Sequence, residues 1–298
     1  MAGSATQKES VAVIVAGGRN LQYWKDLWQY RGLVWNMTAR DFIVRYKQTV
    51  IGVAWSVINP LFNMLISTLL FGVLAGFGAG ISIPYNVCVY VGGIPWALFA
   101  RCFTQGSNVF LSGAELMKKL YFPRLAMPLS AMLSAMLDTA ISVLLFFALL
   151  GFNALRGAPY FPPLRMLLGL PLLLPVALTA MFLGLFVGSF IIRWRDLNFV
   201  IPPFLQIAQY LSPVAYTMQD LQGRLPDGGS ALSAIIRLAF RLNPASGFIS
   251  AFKWAFLNDP AFAFDPKQLL VGFAWLLLAA VAGVRRFRRA ERSFVDLI

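Results

Sequence analysis

The sequence predicts an all-α integral membrane protein with six transmembrane helices in each protomer. The first observation is composition: 59% of the residues are hydrophobic and 12% are charged, against ~25% charged in soluble proteins. The second is the length of the uncharged runs, since residues 48–100 contain no Asp, Glu, Lys or Arg. A membrane-spanning β-strand needs only ~10 residues, whereas a spanning helix needs ~20, so these runs predict helices.

The segment 1–50 is predicted to be cytosolic and to carry an amphipathic N-terminal interface helix. From Thr38 the chain reads TARDFIVRYKQTVIGVAWSVINPL, which is basic in its first half and uncharged in its second. Thr38 and Asp41 have the spacing of a capping box, which predicts that a helix begins at Thr38. A basic amphipathic helix that runs into a span suits the boundary between headgroups and hydrocarbon.

The transmembrane domain is predicted to cover residues 51–284, with a basic cytosolic tail at 285–298. Between spans 5 and 6 the apolar stretches are too short to cross a bilayer. They predict short re-entrant or interfacial helices in an outer gate region at 217–267. The six spans are predicted at about 51–76, 87–112, 127–151, 166–192, 199–219 and 268–284.

The distribution of Lys and Arg orients the predicted spans. With both termini in the cytosol, the short inner loops hold five Lys and Arg, and the short outer loops hold two. Basic residues favour the cytosolic side, so this orientation is the expected one. In span 4, Ala180, Gly184 and Gly188 form a seam of small residues, which predicts close helix packing.

The composition also restricts the chemistry. The net charge of +13 is explained by the positive-inside bias rather than by nucleic-acid binding. The chain has no His, and Cys88 and Cys102 would lie ~21 Å apart on one helix, too far for a disulfide. There is no GxxxxGKS or GxxxxGKT phosphate-binding loop, and Asp138 is the sole acid within a predicted span. We therefore expect no catalytic residue, metal site or cofactor in this chain.

Five motifs, taken in order, closely resemble the permease subunit of bacterial type-2 ABC exporters of polysaccharides. This family exports O-antigen, capsule or teichoic acid. The resemblance implies a homodimer in the bacterial inner membrane, two copies of a cytosolic ABC ATPase that carries ATP and Mg²⁺, and a polyprenyl-pyrophosphate-linked polysaccharide as cargo, with O-antigen as the favoured polymer. The motifs are RDxxxRYKQTxxGxxWxxxxPL from Arg40, LYFPRLAMPLSAMLSAMLD from Leu120, RWRD from Arg193, YLSPVAY from Tyr210 and LNPASGFISAFKWA from Leu242.

The basic turn at 113–126 is the predicted docking site for the ATPase, because the matching segment of the family is a coupling helix. An ordinary basic inner loop, or contact with anionic lipid, is the alternative. The residues predicted to couple to the ATPase are Glu115, Met117, Lys118, Lys119, Tyr121, Phe122 and Arg124.

Spans 1 and 5 carry polar and aromatic stripes, which the resemblance to polysaccharide exporters implies to be a pathway for a sugar chain. Aromatic faces stack on pyranose rings, while amides and hydroxyls exchange hydrogen bonds with sugar hydroxyls. Hydrogen bonds that hold the helices together are the alternative. The predicted pathway residues are Trp55, Asn59, Phe62, Asn63, Gln206, Gln209, Tyr210 and Tyr216.

Two further predictions concern charged residues. Arg40, Arg45 and Lys47 are candidates to bind the lipid pyrophosphate at the inner mouth, with anchoring to the membrane lipids as the alternative. Arg101 and Asp138 lie at equal depth on neighbouring antiparallel spans, so they are expected to form a buried ion pair. The rival possibility is that Arg101 faces the pathway and binds pyrophosphate.

Two other functions remain open at this point. A type-2 ABC exporter of a drug or a small lipid would share the fold without needing amide-rich stripes. A membrane enzyme acting on polyprenyl lipids would need clustered carboxylates, and only Asp138 lies within a span.

Overall fold

The computed structural model describes residues 20–47, 54–78, 80–112, 122–157, 160–217, 220, 223, 231–263 and 265–296. These residues form helices and turns, with no strand among them, so the predicted all-α class is confirmed. Predictions for residues 1–19, 48–53, 113–121 and 224–230 lie outside the described residues. The helices are α1 (Asn20–Gln29), α2 (Arg31–Lys47), α3 (Ala54–Ser67), α4 (Tyr85–Ser107), α5 (Val109–Ser112), α6 (Ala126–Leu155), α7 (Met166–Gly169), α8 (Leu173–Ile191), α9 (Leu197–Tyr210), α10 (Ala231–Leu242), α11 (Ser246–Phe256) and α12 (Pro266–Asp296).

Within the described residues, five helical segments are long and apolar enough to cross a membrane. Three of them include other helical geometry. A π-helical segment, Thr68–Leu74, continues α3, a 3₁₀ turn, Leu170–Leu172, joins α7 to α8, and a 3₁₀ turn, Pro260–Phe262, precedes α12. The five segments are Ala54–Leu74, Tyr85–Ser107, Ala126–Leu155, Met166–Ile191 and Pro260–Ala290.

The fifth predicted span does not form a long helix. Here α9 has 14 residues, Leu197–Tyr210, or ~21 Å at 1.5 Å per residue, which is short of the ~20 residues of a spanning helix. A tight turn follows α9, and the Tyr85 hydroxyl donates to the carbonyl of Ala215 in this turn at 2.6 Å. The proline at position 213 cannot donate a backbone hydrogen bond, which accounts for the early end of the helix.

Helix α4 is the centre of the bundle, and it packs most extensively against α8 and α6. The predicted seam of small residues in α8 is confirmed at this contact. A Cβ atom on Gly184 would lie 2.4 Å from the carbonyl oxygen of Phe103, and one on Gly188 would lie 2.6 Å from that of Ser107. Only glycine therefore lets the two backbones approach so closely. The same contacts show that the C-terminal ends of α8 and α4 lie at the same end of the bundle.

The prediction that a helix begins at Thr38 is wrong, because α2 begins at Arg31. Thr38 lies inside α2, where its hydroxyl donates to the carbonyl of Val34 at 2.8 Å. Asp41 instead forms an ion pair with Arg40 at 3.0 Å. The capping spacing is misleading here because a Thr hydroxyl bonds equally well to the carbonyl one turn back in a continuing helix.

In the part of the predicted gate region that the structure describes, two α-helices exceed one turn, α10 and α11, of 12 and 11 residues. Neither can cross a bilayer alone. Helix α11 is nevertheless embedded, since Phe248, Phe252 and Phe256 are fully buried in the main core. Close to its C-terminus, Asp259 accepts a hydrogen bond from the Ser82 hydroxyl at 2.6 Å. The gate region is therefore packed against the loop that precedes α4.

Candidate functional site

The centre of the candidate site is the carboxylate of Asp138 on α6, which is only 5% exposed. Arg45 from α2 and Arg101 from α4 both form ion pairs with its Oδ2 atom. The hydroxyl of Tyr46 donates to Oδ1 at 2.6 Å. The structure thus pairs Arg101 with Asp138 and brings in a second arginine. We call Arg45, Tyr46, Arg101 and Asp138 the inner cluster.

The inner cluster depends on how α2 lies against α6. The hydroxyl of Thr38 is 3.3 Å from the carbonyl oxygen of Ser130, and Arg45 meets Asp138. Residue numbers rise together along both helices, so α2 runs parallel to α6 over two turns, or ~11 Å. The second half of α2 is therefore packed on a membrane-spanning helix and does not lie free at the headgroups.

Neighbouring polar groups complete the hydrogen bonding of Arg45. Its guanidinium lies 3.4 Å from the Ser134 hydroxyl. With its amide oriented to suit both neighbours, Gln105 accepts from Arg45 at 3.1 Å and donates to the carbonyl of Ala131 at 2.8 Å. Two guanidinium groups and one carboxylate leave the inner cluster with a net charge of +1.

A cavity of about 300 Å³ opens beside the inner cluster. We call it the inner cavity. Arg101 and Asp138 lie in its wall, together with amide, hydroxyl and aromatic side chains from four helices. Such a wall can stack on sugar rings and exchange hydrogen bonds with hydroxyl groups, while the arginine attracts anionic groups. Its polar and aromatic lining includes Trp55, Ser56, Asn59, Asn63, Tyr90, Trp96, Ser142 and Gln209.

The structure gathers four of the eight predicted pathway residues at the inner cavity, namely Trp55, Asn59, Asn63 and Gln209. Phe62, Gln206, Tyr210 and Tyr216 do not line it. Phe62 points away on α3 and is 60% exposed. Gln206 and Tyr210 lie on exposed positions of α9.

Tyr216 is buried in an aromatic cluster. Its ring centroid lies 5.9 Å from that of Phe71 and 5.6 Å from that of Phe77, and its hydroxyl donates to the carbonyl of Tyr210. The Phe71 ring also contacts that of Tyr210, with centroids 6.0 Å apart. These contacts fasten the turn after α9 to the end of α3.

The three predicted pyrophosphate ligands do not form one site. Arg45 is committed to Asp138, and Arg40 forms an ion pair with Asp41 at 3.0 Å. Lys47 is exposed at the end of α2. Successive helical positions point in different directions, which explains why a basic run in sequence becomes three separate environments.

Most of the predicted coupling turn lies outside the described residues, including Glu115, Met117, Lys118, Lys119 and Tyr121. Arg124 is described and is half-buried. Phe122, a predicted coupling residue, does not lie at the surface, because its side chain is 7% exposed and packs in a core with Val34, Phe110 and Phe287. A large apolar ring next to a helix start gains more from this burial than from exposure.

Comparison with known proteins agrees with this architecture. Residues 32–228 match the family model described as ABC-2 type transporter. The chain is 25% identical over 271 residues to the O-antigen export system permease protein RfbA of Myxococcus xanthus, covering 90% of this chain and 96% of that protein. A protein of the same name from Klebsiella pneumoniae is 23% identical over 264 residues, covering 88% of this chain and 93% of that relative.

The family match extends from α2, through the inner cluster and the walls of the inner cavity, to the turn that follows α9. This is well over half of the chain, and it contains four of the five long apolar segments. The chain is a membrane protein that belongs to the ABC-2 type transporter family.

Proposed function

We propose that this chain is the transmembrane subunit of an ATP-driven exporter that moves a polyprenyl-pyrophosphate-linked polysaccharide, most specifically O-antigen, across the inner membrane. The observation that carries the proposal is the match to O-antigen export permeases along about nine-tenths of the chain. Those names describe the relatives, and their near full-length alignment supports the same cargo class for this chain.

The inner cavity supports a sugar as cargo. A transporter of greasy molecules would need an apolar wall, whereas this cavity presents the amides of Asn59, Asn63 and Gln209 beside Trp55. Weak, repeated hydrogen bonds and ring stacking allow a polymer to slide, since no single contact holds it strongly. The inner cluster beside the cavity keeps a net charge of +1, which suits the pyrophosphate of a lipid-linked chain.

We further propose six membrane crossings with both termini in the cytosol. The end of α8 lies beside the end of α4, at Ser107, while Ala215 is bonded to Tyr85 at the start of α4. Residues 192–215 must therefore run from one end of α4 to the other. Helix α9 and its flanking turns supply the sixth crossing, with the helix alone accounting for ~21 Å of it.

The energy for transport comes, in this proposal, from two copies of a separate ABC ATPase bound to a homodimer of this chain. The sequence has no phosphate-binding loop of its own. The basic turn at 113–126 is the proposed contact with the ATPase, and Phe122 supports that turn from within the core rather than from its surface.

Deletion of the gene, followed by complementation with the intact gene, tests the proposal. We expect surface polysaccharide to disappear and its lipid-linked precursor to accumulate in the inner membrane. Unchanged surface polysaccharide together with altered drug or lipid export would contradict the polysaccharide cargo. Loss of the lipid-linked precursor itself would instead point to an enzyme of its synthesis.

A further inference from the structure

A second cavity, of about 450 Å³, lies at the end of the bundle that is predicted to face outward. We call it the outer cavity. Among the described residues, five parts of the chain form its walls: the turn after α9, α10, α11, the segment between α11 and α12, and the first turns of α12. It is separate from the inner cavity, since no described residue lines both.

The lining of the outer cavity is strongly basic. Three of the described lining residues are cationic, namely Arg241, Lys253 and Lys267, and one is acidic, Asp265. That carboxylate is already engaged, because its Oδ1 accepts from the backbone N–H of Lys267 at 2.9 Å. The described lining residues therefore carry a net charge of +2. Arg241 and Lys267 are exposed, and neither has an ion-pair partner among the described residues.

Lys253 places a positive charge deep in this wall, since it is only 2% exposed. Its Nζ donates to the carbonyls of Pro213, Val214 and Tyr216 at 3.2, 3.3 and 3.3 Å. Carbonyl dipoles offset the charge only in part. Burial lowers the pKa of Lys253 to about 8.

Gln268 adds a polar side chain to the lining of the cavity. Its amide nitrogen is itself buried and has no partner among the described residues. A buried donor without an acceptor costs ~1–3 kcal/mol, so this amide is a cost to the wall unless it turns toward a ligand.

The two helices that carry Arg241 and Lys267 also expose apolar side chains. Four large side chains on α10 and α12 are between 49% and 67% exposed. Exposed apolar side chains on the helices that line a basic pocket match a lipid, whose chains contact the apolar side chains while its headgroup fills the pocket. The four are Ile235, Leu238, Leu242 and Leu270.

We propose that the outer cavity binds the phosphate of an anionic lipid headgroup, held by Arg241 and Lys267 at its mouth, with Lys253 and Gln268 in its wall. Two sources can supply this chemistry, namely a membrane phospholipid or a lipid diphosphate that carries cargo. The assignment rests on the cavity and holds whatever polymer the protein exports.

The test measures lipid binding by native mass spectrometry on the full chain, purified with its associated subunits. The probes are dioleoyl phosphatidylglycerol, dioleoyl phosphatidylcholine and farnesyl diphosphate. We expect the anionic probes to bind more tightly than phosphatidylcholine. We expect the double variant Arg241→Gln, Lys267→Gln to weaken anionic binding roughly five-fold for each charge removed. Both substituted positions are exposed, so the melting temperature should be unchanged.

A matched control removes two exposed cations elsewhere, Lys25→Gln and Arg285→Gln, and should leave binding unchanged. Weaker binding of phosphatidylglycerol alone would identify a phospholipid site, and weaker binding of farnesyl diphosphate alone would identify a site for lipid diphosphate. Equal losses in the control and the double variant, or no loss in either, would overturn the proposal. Neither outcome depends on whether deletion of the gene affects surface polysaccharide.

Discussion

The inner cluster and the turn held by Lys253 stabilise buried charge in opposite ways. At the inner cluster, one carboxylate meets two guanidiniums and a hydroxyl, contributed by three helices. At the turn, one ammonium meets three backbone carbonyls and no carboxylate within ion-pair distance among the described residues. The first arrangement joins helices through side chains. In the second, one side chain donates hydrogen bonds to backbone carbonyls at a place where the helix has ended.

The difference follows from what each region lacks. Helices α2, α4 and α6 are continuous at the cluster, so their backbone groups are satisfied and the charges must satisfy one another. The chain after α9 leaves its helix in a buried place, so carbonyls without helical partners remain. Lys253 supplies donors to three of them, and Asn243 donates to the carbonyl of Leu211 at 3.3 Å. Of the four substitutions that follow, in order of expected effect, three probe these two arrangements and one, at Trp55, probes the inner cavity beside the cluster.

Replacing Asp138 with Leu should have the largest effect. It leaves Arg45 and Arg101 close together without their shared carboxylate, and an unpaired buried charge costs ~3–5 kcal/mol of unfolding free energy. Denaturation in mixed micelles measures the loss. The triple variant Arg45→Met, Arg101→Met, Asp138→Leu should recover most of it. As a control, Asp41→Leu breaks only an exposed pair, worth ~0–1 kcal/mol. A triple variant less stable than Asp138→Leu would contradict the charge argument.

Replacing Lys253 with Met should cost ~2–4 kcal/mol, because three buried carbonyls lose their donor while the apolar volume is retained. The same denaturation experiment measures it. Lys267→Met is the matched control, since Lys267 is exposed and surface substitutions usually change stability by less than ~0.5 kcal/mol. If the two variants proved equally stable, the hydrogen bonds from Lys253 to the carbonyls would contribute nothing to the free energy of unfolding.

Replacing Trp55 with Ala should reduce export while assembly is kept. Trp55 lines the inner cavity, and loss of one stacking contact is worth roughly two- to ten-fold in rate. Phe62→Ala is the control, because Phe62 lies on the same helix and does not line the cavity. The measurement is surface polysaccharide per copy of the assembled protein. Equal export by both variants would contradict the assignment of the inner cavity to the transport pathway.

Replacing Tyr46 with Phe should have the smallest effect. It removes one hydrogen bond to Asp138 and leaves both ion pairs, so ~1 kcal/mol is expected. A loss as large as that of Asp138→Leu would mean that the hydroxyl, rather than the arginines, holds the carboxylate. The melting temperature relative to the parent protein is sufficient to decide.

Much of the bundle could be predicted from sequence because hydrophobic length reports membrane crossing directly. The pairing of Arg101 with Asp138 followed from equal depth on adjacent helices. Arg45 was missed as a third member, since its partner lies 93 residues away and nothing in a single sequence places α2 beside α6. With two arginines present, loss of Arg101 alone should be milder than a simple pair predicts.

The site itself was less predictable. Trp55, Asn59 and Asn63 share one face at helical spacing, and the structure places all three at the inner cavity. Gln206 and Tyr210 follow the same kind of pattern on α9, yet both are exposed and neither lines the inner cavity. A polar stripe shows which residues share a face, but the rotation of the helix is set by its neighbours. The outer cavity left no local signal, because its cations come from three separated segments.

The inner cluster also has a consequence for biosynthesis. Arg101 leaves the ribosome 37 residues before Asp138 and Arg45 does so 93 residues before it. At 5–20 residues per second, α4 must wait ~2–7 s for the carboxylate that neutralises its arginine. During that interval the nascent chain carries an uncompensated charge in a segment otherwise ready for the lipid. From this order we expect α4 and α6 to insert together at the translocon. Helix α2 then docks against them.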